Sequence, residues 1–145
     1  MSVIDASVAV KWFVDEEGSD LARRLLETKQ GLLHIPDIFV VEVSAVLVRN
    51  ANIDKANHDR VRAGLDRLID LIDRQSLILE RTPPGQVMDA SELAIDLGHP
   101  LKDCIYLALA MNLNRPLVTC DAKFAAKARA IYAGVRVLEE LGDLV

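Results

Sequence analysis

The stretch "LVTCDAKF", Leu117–Phe124, decides the fold. Leu117, Val118 and Thr119 have the apolar and β-branched character of a strand that packs inside a protein. Asp121 then stands directly before "AKFAAKARAIYAG", which reads as a helix. A carboxylate at the end of a buried strand is costly unless that end opens into a site. The first residues, "SVIDASVAVKWF", repeat the pattern: Ser2–Ile4 read as a buried strand, and Asp5 closes it.

Working outward, short strands alternate with helices. "ASVAVKWFVDEEG" is expected to be a short helix stopped by Gly18. "SDLARRLLETKQG" follows as a helix capped by Ser19 and ended by Gly31. "LLHI" is a strand before Pro36, and "DIFVVEVSAVLVRN" a helix capped by Asp37, with Val40, Val43 and Leu47 at helical spacing. "KANHDRVRAGLDRLIDLIDRQ" is the clearest amphipathic helix, with Val61, Leu65, Leu68, Ile69 and Ile72 as its apolar stripe. Then come the strand "SLILE", the break "TPPGQ", and helices "QVMDASELAIDLG" and "LKDCIYLALAMNLN". "PLVTC" and "VRVL" are the last two strands, on either side of the final helix.

Apolar strands alternating with helices imply a mostly parallel sheet covered on both faces. The expected architecture is a three-layer α/β/α sandwich of about five strands, in one domain spanning residues 1–145. Half of the chain is apolar (51%), enough for a sizeable core. No run of about 18 apolar residues is present, so no membrane-spanning helix is expected. No basic leader with an apolar stretch precedes the first strand, so no secretion signal is expected. Cys104 and Cys120 lack metal-pair spacing and read as reduced thiols of a cytoplasmic protein. The formal charge of −5 excludes broad, salt-driven adhesion to nucleic acid, but not a local basic groove or a metal-assisted one.

In a parallel sheet every strand's carboxyl end lies on one edge, and the next helix starts there. Asp5 and Asp121 end strands, and Asp103 lies in the first turn of a helix. Glu42 lies in the second turn of the helix that starts near Asp37. These four carboxylates are therefore expected to converge on one cleft. Each has a plainer reading when taken alone. Asp103 would be dipole-favoured at a helix start, Glu42 solvated, and Asp5 and Asp121 the caps of the helices that follow them. The set carries the functional reading. Asp37, Asp54, Asp89 and Asp143 read as caps or surface residues.

Two carboxylates 4 Å apart repel by roughly 4 kcal/mol at an effective dielectric of about 20. A helix N-terminus offsets only about 0.3–1 kcal/mol of that. Either some of the acids stay protonated, or a cation is held among them. Oxygen donors suit Mg²⁺ or Mn²⁺, and no histidine or thiolate set is expected to offer a zinc-type alternative. Such ions serve phosphodiester hydrolysis, activating water and stabilising the leaving oxygen.

"VIDASVAVKWF", "PDIFVVEVSAVL", "LKDCIYLALA" and "LVTCDAKF", in register over nearly the whole chain, resemble the PIN domain family, in particular the VapC-type toxins of toxin–antitoxin pairs. The resemblance implies a Mg²⁺- or Mn²⁺-dependent ribonuclease, with Asp5, Glu42, Asp103 and Asp121 as both catalytic and metal-binding acids. It implies that Thr119 orients the acids or a water on the ion. It also implies an RNA substrate, a homodimer, and a small cognate antitoxin that covers the cleft, without any membrane association. Lys102 and the two cysteines depart from common relatives but remove no acid. Lys11, Lys102, Lys123 and Lys127 flank the acidic segments as candidate phosphate contacts, though each taken alone reads as a solvated surface residue. Trp12 reads as core rather than as a base-stacking platform. The Asp54–Gln75 stripe serves equally as a core face or as a partner-binding helix.

Two rival readings stand beside this one. A receiver domain or Asp-dependent phosphatase also binds Mg²⁺ near a strand-end Asp, but "SVID" lacks the receiver's acid pair, "VRVL" lacks its lysine, and "DAS" is not D-x-D. A non-catalytic PIN-like binding module is the other, and the presence of all four acids weighs against it.

Overall fold

The computed structural model describes residues 1–143. Its strands are β1 (Ser2–Ile4), β2 (Leu33–Pro36), β3 (Leu77–Glu80), β4 (Leu117–Thr119) and β5 (Val135–Val137). All neighbouring strands are parallel, in the order β3-β2-β1-β4-β5. The helices are α1 (Ala6–Phe13), α2 (Ser19–Thr28), α3 (Ile38–Ile53), α4 (His58–Asp73), α5 (Pro84–Leu97), α6 (Leu101–Leu113) and α7 (Ala122–Arg129). From β1 the chain winds outward to β3, then returns past β1 to β4 and β5. Right-handed crossovers therefore place α1–α4 on one face and α5–α7 on the other, the expected three layers.

The sheet sits in the core. Val3, Ile4, Ile35, Leu117 and Val118 are fully buried, as continuous apolar strands under two helical layers require. Helix α6 is buried without interruption from Cys104 to Ala110 and packs against β1, β2 and β4. Tyr106, Phe39 and Phe124 are the largest fully buried side chains. Trp12 is core too, its indole N–H donating to Ala22 O at 2.9 Å. Among the described residues no helix is long and apolar enough to cross a membrane.

Several local expectations are corrected. Helix α1 ends at Phe13, and Gly18 instead precedes α2, with φ 86°, where a side chain would be strained. Ser19 is the first residue of α2, and its hydroxyl closes the preceding turn by donating to Val14 O and accepting from Glu16 N–H. Asp37 stands at the N-cap of α3 as expected, but its carboxylate makes no capping bond there and accepts instead from Thr82 N–H at 3.3 Å. On α4 the buried residues are Val61, Leu68 and Leu71, whereas Ile69 is about half exposed. The apolar stripe is thus rotated from the one that spacing suggested.

Candidate active site

The chain changes winding direction at β1 and β4, which are neighbours. In open α/β sheets such a switch point leaves a crevice beyond the strands' carboxyl ends, because the flanking connections leave to opposite faces. A cleft of about 370 Å³ lies there, lined by Asp5, Glu42, Asp103 and Asp121 together with Ser7, Arg49 and Lys102. All four acids singled out in the sequence are brought to it.

Asp5, only 5% exposed, is held by two hydroxyls. Ser7 Oγ donates to its Oδ2 at 2.5 Å, and Thr119 Oγ1 donates to the same oxygen at 3.0 Å. Each hydroxyl is oriented in turn by a backbone amide. Cys120 N–H donates to Ser7 Oγ at 3.0 Å, and Asp121 N–H donates to Thr119 Oγ1 at 3.1 Å. A hydroxyl has one proton to give, so accepting from an amide directs that proton toward Asp5. The side chain of Asp5 makes no capping bond to α1. That of Asp121 does cap α7, accepting from Phe124 N–H at 2.9 Å. Asp5 thus stands at the N-cap of α1 with its carboxylate held mainly by two hydroxyls, whereas Asp121 caps α7 through its side chain and reaches the cleft as well.

Glu42 and Asp103 come from the two helical layers. Tyr106, on α6, donates its hydroxyl to Glu42 Oε1 at 3.0 Å. Lys102 Nζ lies 4.0 Å from Glu42 Oε2. Asp103 Oδ2 is 2.7 Å from Nε2 of His99. Burial raises the carboxyl of Asp5 above its ordinary range against the lowering effect of Ser7 and Thr119, and Asp103 raises it further. Burial also raises Glu42, opposed by the Tyr106 hydrogen bond, with Asp5 and Asp103 adding to the rise. Burial likewise pushes the Tyr106 phenol up, with Glu42 the next cause, so it stays a proton donor. The acids thus feel one another, and the cleft favours either protonation or a cation.

Carboxylate oxygens suit a hard divalent cation such as Mg²⁺ or Mn²⁺, and all four acids line the cleft, but among the described residues Asp5 and Glu42 are not part of the group whose ligand atoms lie within 4.8 Å of one another. No histidine or thiolate set was expected, and the one histidine here stands with two carboxylates: the ligand atoms of His99, Asp103 and Asp121 lie within 4.8 Å of one another. Of the four candidate rim lysines one reaches the cleft, and the others keep the plainer surface reading. Lys102 lines the cleft, but Lys11 is turned to Glu16 and the Glu17 carbonyl, and Lys127 to the Gly98 carbonyl. Lys123 does not line it either, and Arg49, two turns beyond Glu42 on α3, does. Cys104 is fully buried, and burial raises both free thiols to about 11, which keeps them inert.

Ser7, Tyr106, His99 and Arg49 are the contributors that reading the sequence missed. Ser7 lies two residues after Asp5, and His99 stands four before Asp103, in the corner that precedes α6. Those spacings were the available signals.

An acid-lined crevice thus lies at the switch point of a parallel α/β sheet. The sequence matches the PIN domain family across residues 2–130. The chain belongs to that family. It is 29% identical over 129 residues to ribonuclease VapC3 of Pyrobaculum aerophilum, covering 89% of this chain and 95% of the relative. It is 32% identical over 128 residues to ribonuclease VapC12 of Mycobacterium tuberculosis, covering 86% and 90%. The fold is similar to that of PAE2754 from Pyrobaculum aerophilum (TM-score 0.74, 19% identity, 97% of this chain and 90% of the other). It is also similar to a chain of a toxin–antitoxin complex from Klebsiella pneumoniae (TM-score 0.65, 19% identity, 95% and 98%).

Proposed function

We propose that this protein is a metal-dependent endoribonuclease, the toxin of a toxin–antitoxin pair, with Asp5, Glu42, Asp103 and Asp121 as its catalytic and metal-binding acids. The observation that carries the reading is the meeting of these four acids in one cleft, in a chain whose relatives are named ribonucleases. When bound, Mg²⁺ or Mn²⁺ supplies positive charge to the scissile phosphate and makes a nearby water more acidic.

The protein's own part is to orient and to bind. Ser7 and Thr119 fix the rotamer of Asp5, Phe124 N–H fixes Asp121, and Tyr106 fixes Glu42. A preorganised carboxylate set does not have to reorganise as charge develops at phosphorus. Arg49 and Lys102 line the cleft and, in this reading, meet phosphates flanking the cut. Two cations beside four acids make RNA affinity depend strongly on the bound ion, which suits an acidic protein acting on RNA. Single-stranded or looped RNA is the fitting substrate, since its backbone can be drawn into a cleft.

The proposed partners are RNA, a cognate antitoxin and a second copy of the chain in a homodimer. The fold's likeness to a chain of a toxin–antitoxin complex supports the second of these. Free thiols and an RNA substrate suit a cytoplasmic location. The test is Mn²⁺-dependent cleavage of labelled RNA by the purified chain. Cleavage is expected to vanish in EDTA and in Asp5→Asn, and cleavage that persists in Asp5→Asn would overturn the assignment.

A further inference from the structure

The corner that introduces Asp103 holds a histidine that the four-acid reading does not use. Helix α5 ends at Leu97, and Gly98 turns the chain with φ 59°, a left-handed conformation that glycine adopts without strain. His99 N–H returns to Ala94 O at 3.0 Å, and Pro100 leads into α6. The backbone of this three-residue corner is therefore set by a helix C-cap on one side and a proline on the other.

The imidazole is set as well. Its side chain is 9% exposed and lies on the ring of Phe124, with centroids 4.7 Å apart and planes 29° from parallel. Nε2 is 2.7 Å from Asp103 Oδ2, a hydrogen-bond distance, and the tautomer with its proton on Nε2 donates to that oxygen. Phe124 in turn donates its backbone N–H to Asp121 Oδ1. One stacked pair thus grips two acids from different elements, Asp103 through the imidazole and Asp121 through the amide.

We propose that His99 is a positioning residue: its Nε2–H engages one oxygen of Asp103 and so leaves the other to meet the cation. The inference rests on the metal-nuclease reading given above. A carboxylate in the first turn of a helix otherwise turns freely about its side-chain bonds, and that freedom is lost when an ion binds. Hydrogen-bond partners behind a ligand carboxylate typically account for about 10–100-fold in metal affinity. The stack on Phe124 couples this hold on Asp103 to the segment that carries Asp121.

The test uses the full chain, Mn²⁺ titration calorimetry and pulsed electron paramagnetic resonance of the bound Mn²⁺. His99→Phe keeps a ring against Phe124 but removes the donor, and His99→Gln restores an N–H without the ring. His99→Phe is expected to lose about 10–100-fold in Mn²⁺ affinity, with His99→Gln recovering part of the loss. The native spectrum is expected to show no ¹⁴N coupling, because Nε2–H faces a carboxylate oxygen and not the ion. Native-like Mn²⁺ affinity in His99→Phe would overturn the proposal. So would a ¹⁴N coupling in the native chain, which would make His99 a direct ligand; this measurement decides even where a variant does not fold. A native chain that binds no Mn²⁺ at all would remove the four-acid metal site itself, and the role of His99 with it.

Discussion

Thr119 Oγ1 donates to Asp5 Oδ2 at 3.0 Å, joining the ends of β4 and β1 across 114 positions of sequence. Thr119 is fully buried and also accepts from Asp121 N–H, so one hydroxyl serves two of the four acids. A strand that ends on a carboxylate is tolerable here because its neighbour ends on the donor that satisfies it.

Thr119→Val keeps the shape of the side chain and removes the hydroxyl. The buried Asp5 oxygen loses a donor and Asp121 N–H loses its acceptor. The expected loss is about 1–3 kcal/mol in chemical denaturation. Thr119→Ser is expected to keep most of the stability and of the Mn²⁺ response. An unchanged Thr119→Val protein would mean that this hydroxyl plays no part in holding Asp5.

The metal-free protein is expected to lose stability as pH rises. The carboxyls of Asp5 and Glu42 are held above their ordinary values of 3.8 and 4.5, with burial as the leading cause. Between those values and the raised ones, the folded state binds more protons than the unfolded state. The slope of unfolding free energy against pH is then negative, and stability falls through that window. Denaturation in EDTA across the acid-to-neutral range checks the slope, and Asp5→Asn is expected to flatten it. A stability that rises across the same range in the native chain would contradict the reading.

Repulsion among the acids also sets a trade between stability and ion binding. Glu42→Gln removes one charge that Asp5 and Asp103 oppose. Without metal, its thermal midpoint is expected to rise by the equivalent of about 1 kcal/mol, the scale of one close like-charge pair in a water-like medium. The rise in midpoint that native protein shows on adding Mn²⁺ is expected to shrink in this variant. Thermal melts with and without Mn²⁺ decide both halves.

Arg49 and Lys102 are the cations that line the cleft. Alanine at either position is expected to weaken RNA binding without regard to sequence, and to reduce the slope of log affinity against log salt by about 0.7 for single-stranded RNA. Lys123→Ala, outside the cleft, serves as the comparison and is expected to leave the slope unchanged. Fluorescence anisotropy over a salt series, in Asp5→Asn protein so that no cleavage occurs, measures it.

The readable part of this protein is the part carried by local pattern. Apolar runs too short for helices, alternating with segments of helical spacing, imply a parallel sheet. Such a sheet puts Asp5 and Asp121 on one edge, because every strand ends there. Glu42 follows through its place in α3, directly after β2, whereas Asp103 does not follow from that rule, because α6 is preceded by α5 and not by a strand.

Apart from Thr119, which the family resemblance assigns to orienting the acids, partnerships between side chains were not readable. Ser7 donates to a neighbour two residues away, yet what orients it is the amide of Cys120, 113 positions distant. Arg49 rather than Lys11 faces the cleft because of the rotation of α3 and the turn at Glu16 and Glu17, both set by packing. The same rotation problem moved the buried stripe of α4 from Ile69 to Leu71. By itself, the sequence determined which elements form and which edge of the sheet gathers the acids, since hydrophobic period and strand direction are properties of the chain read in order. Only the tertiary structure decided which donor holds each acid, because a hydrogen bond depends on position to within a few tenths of an ångström. Such positions follow from the packing of the whole core and leave no mark in any single segment.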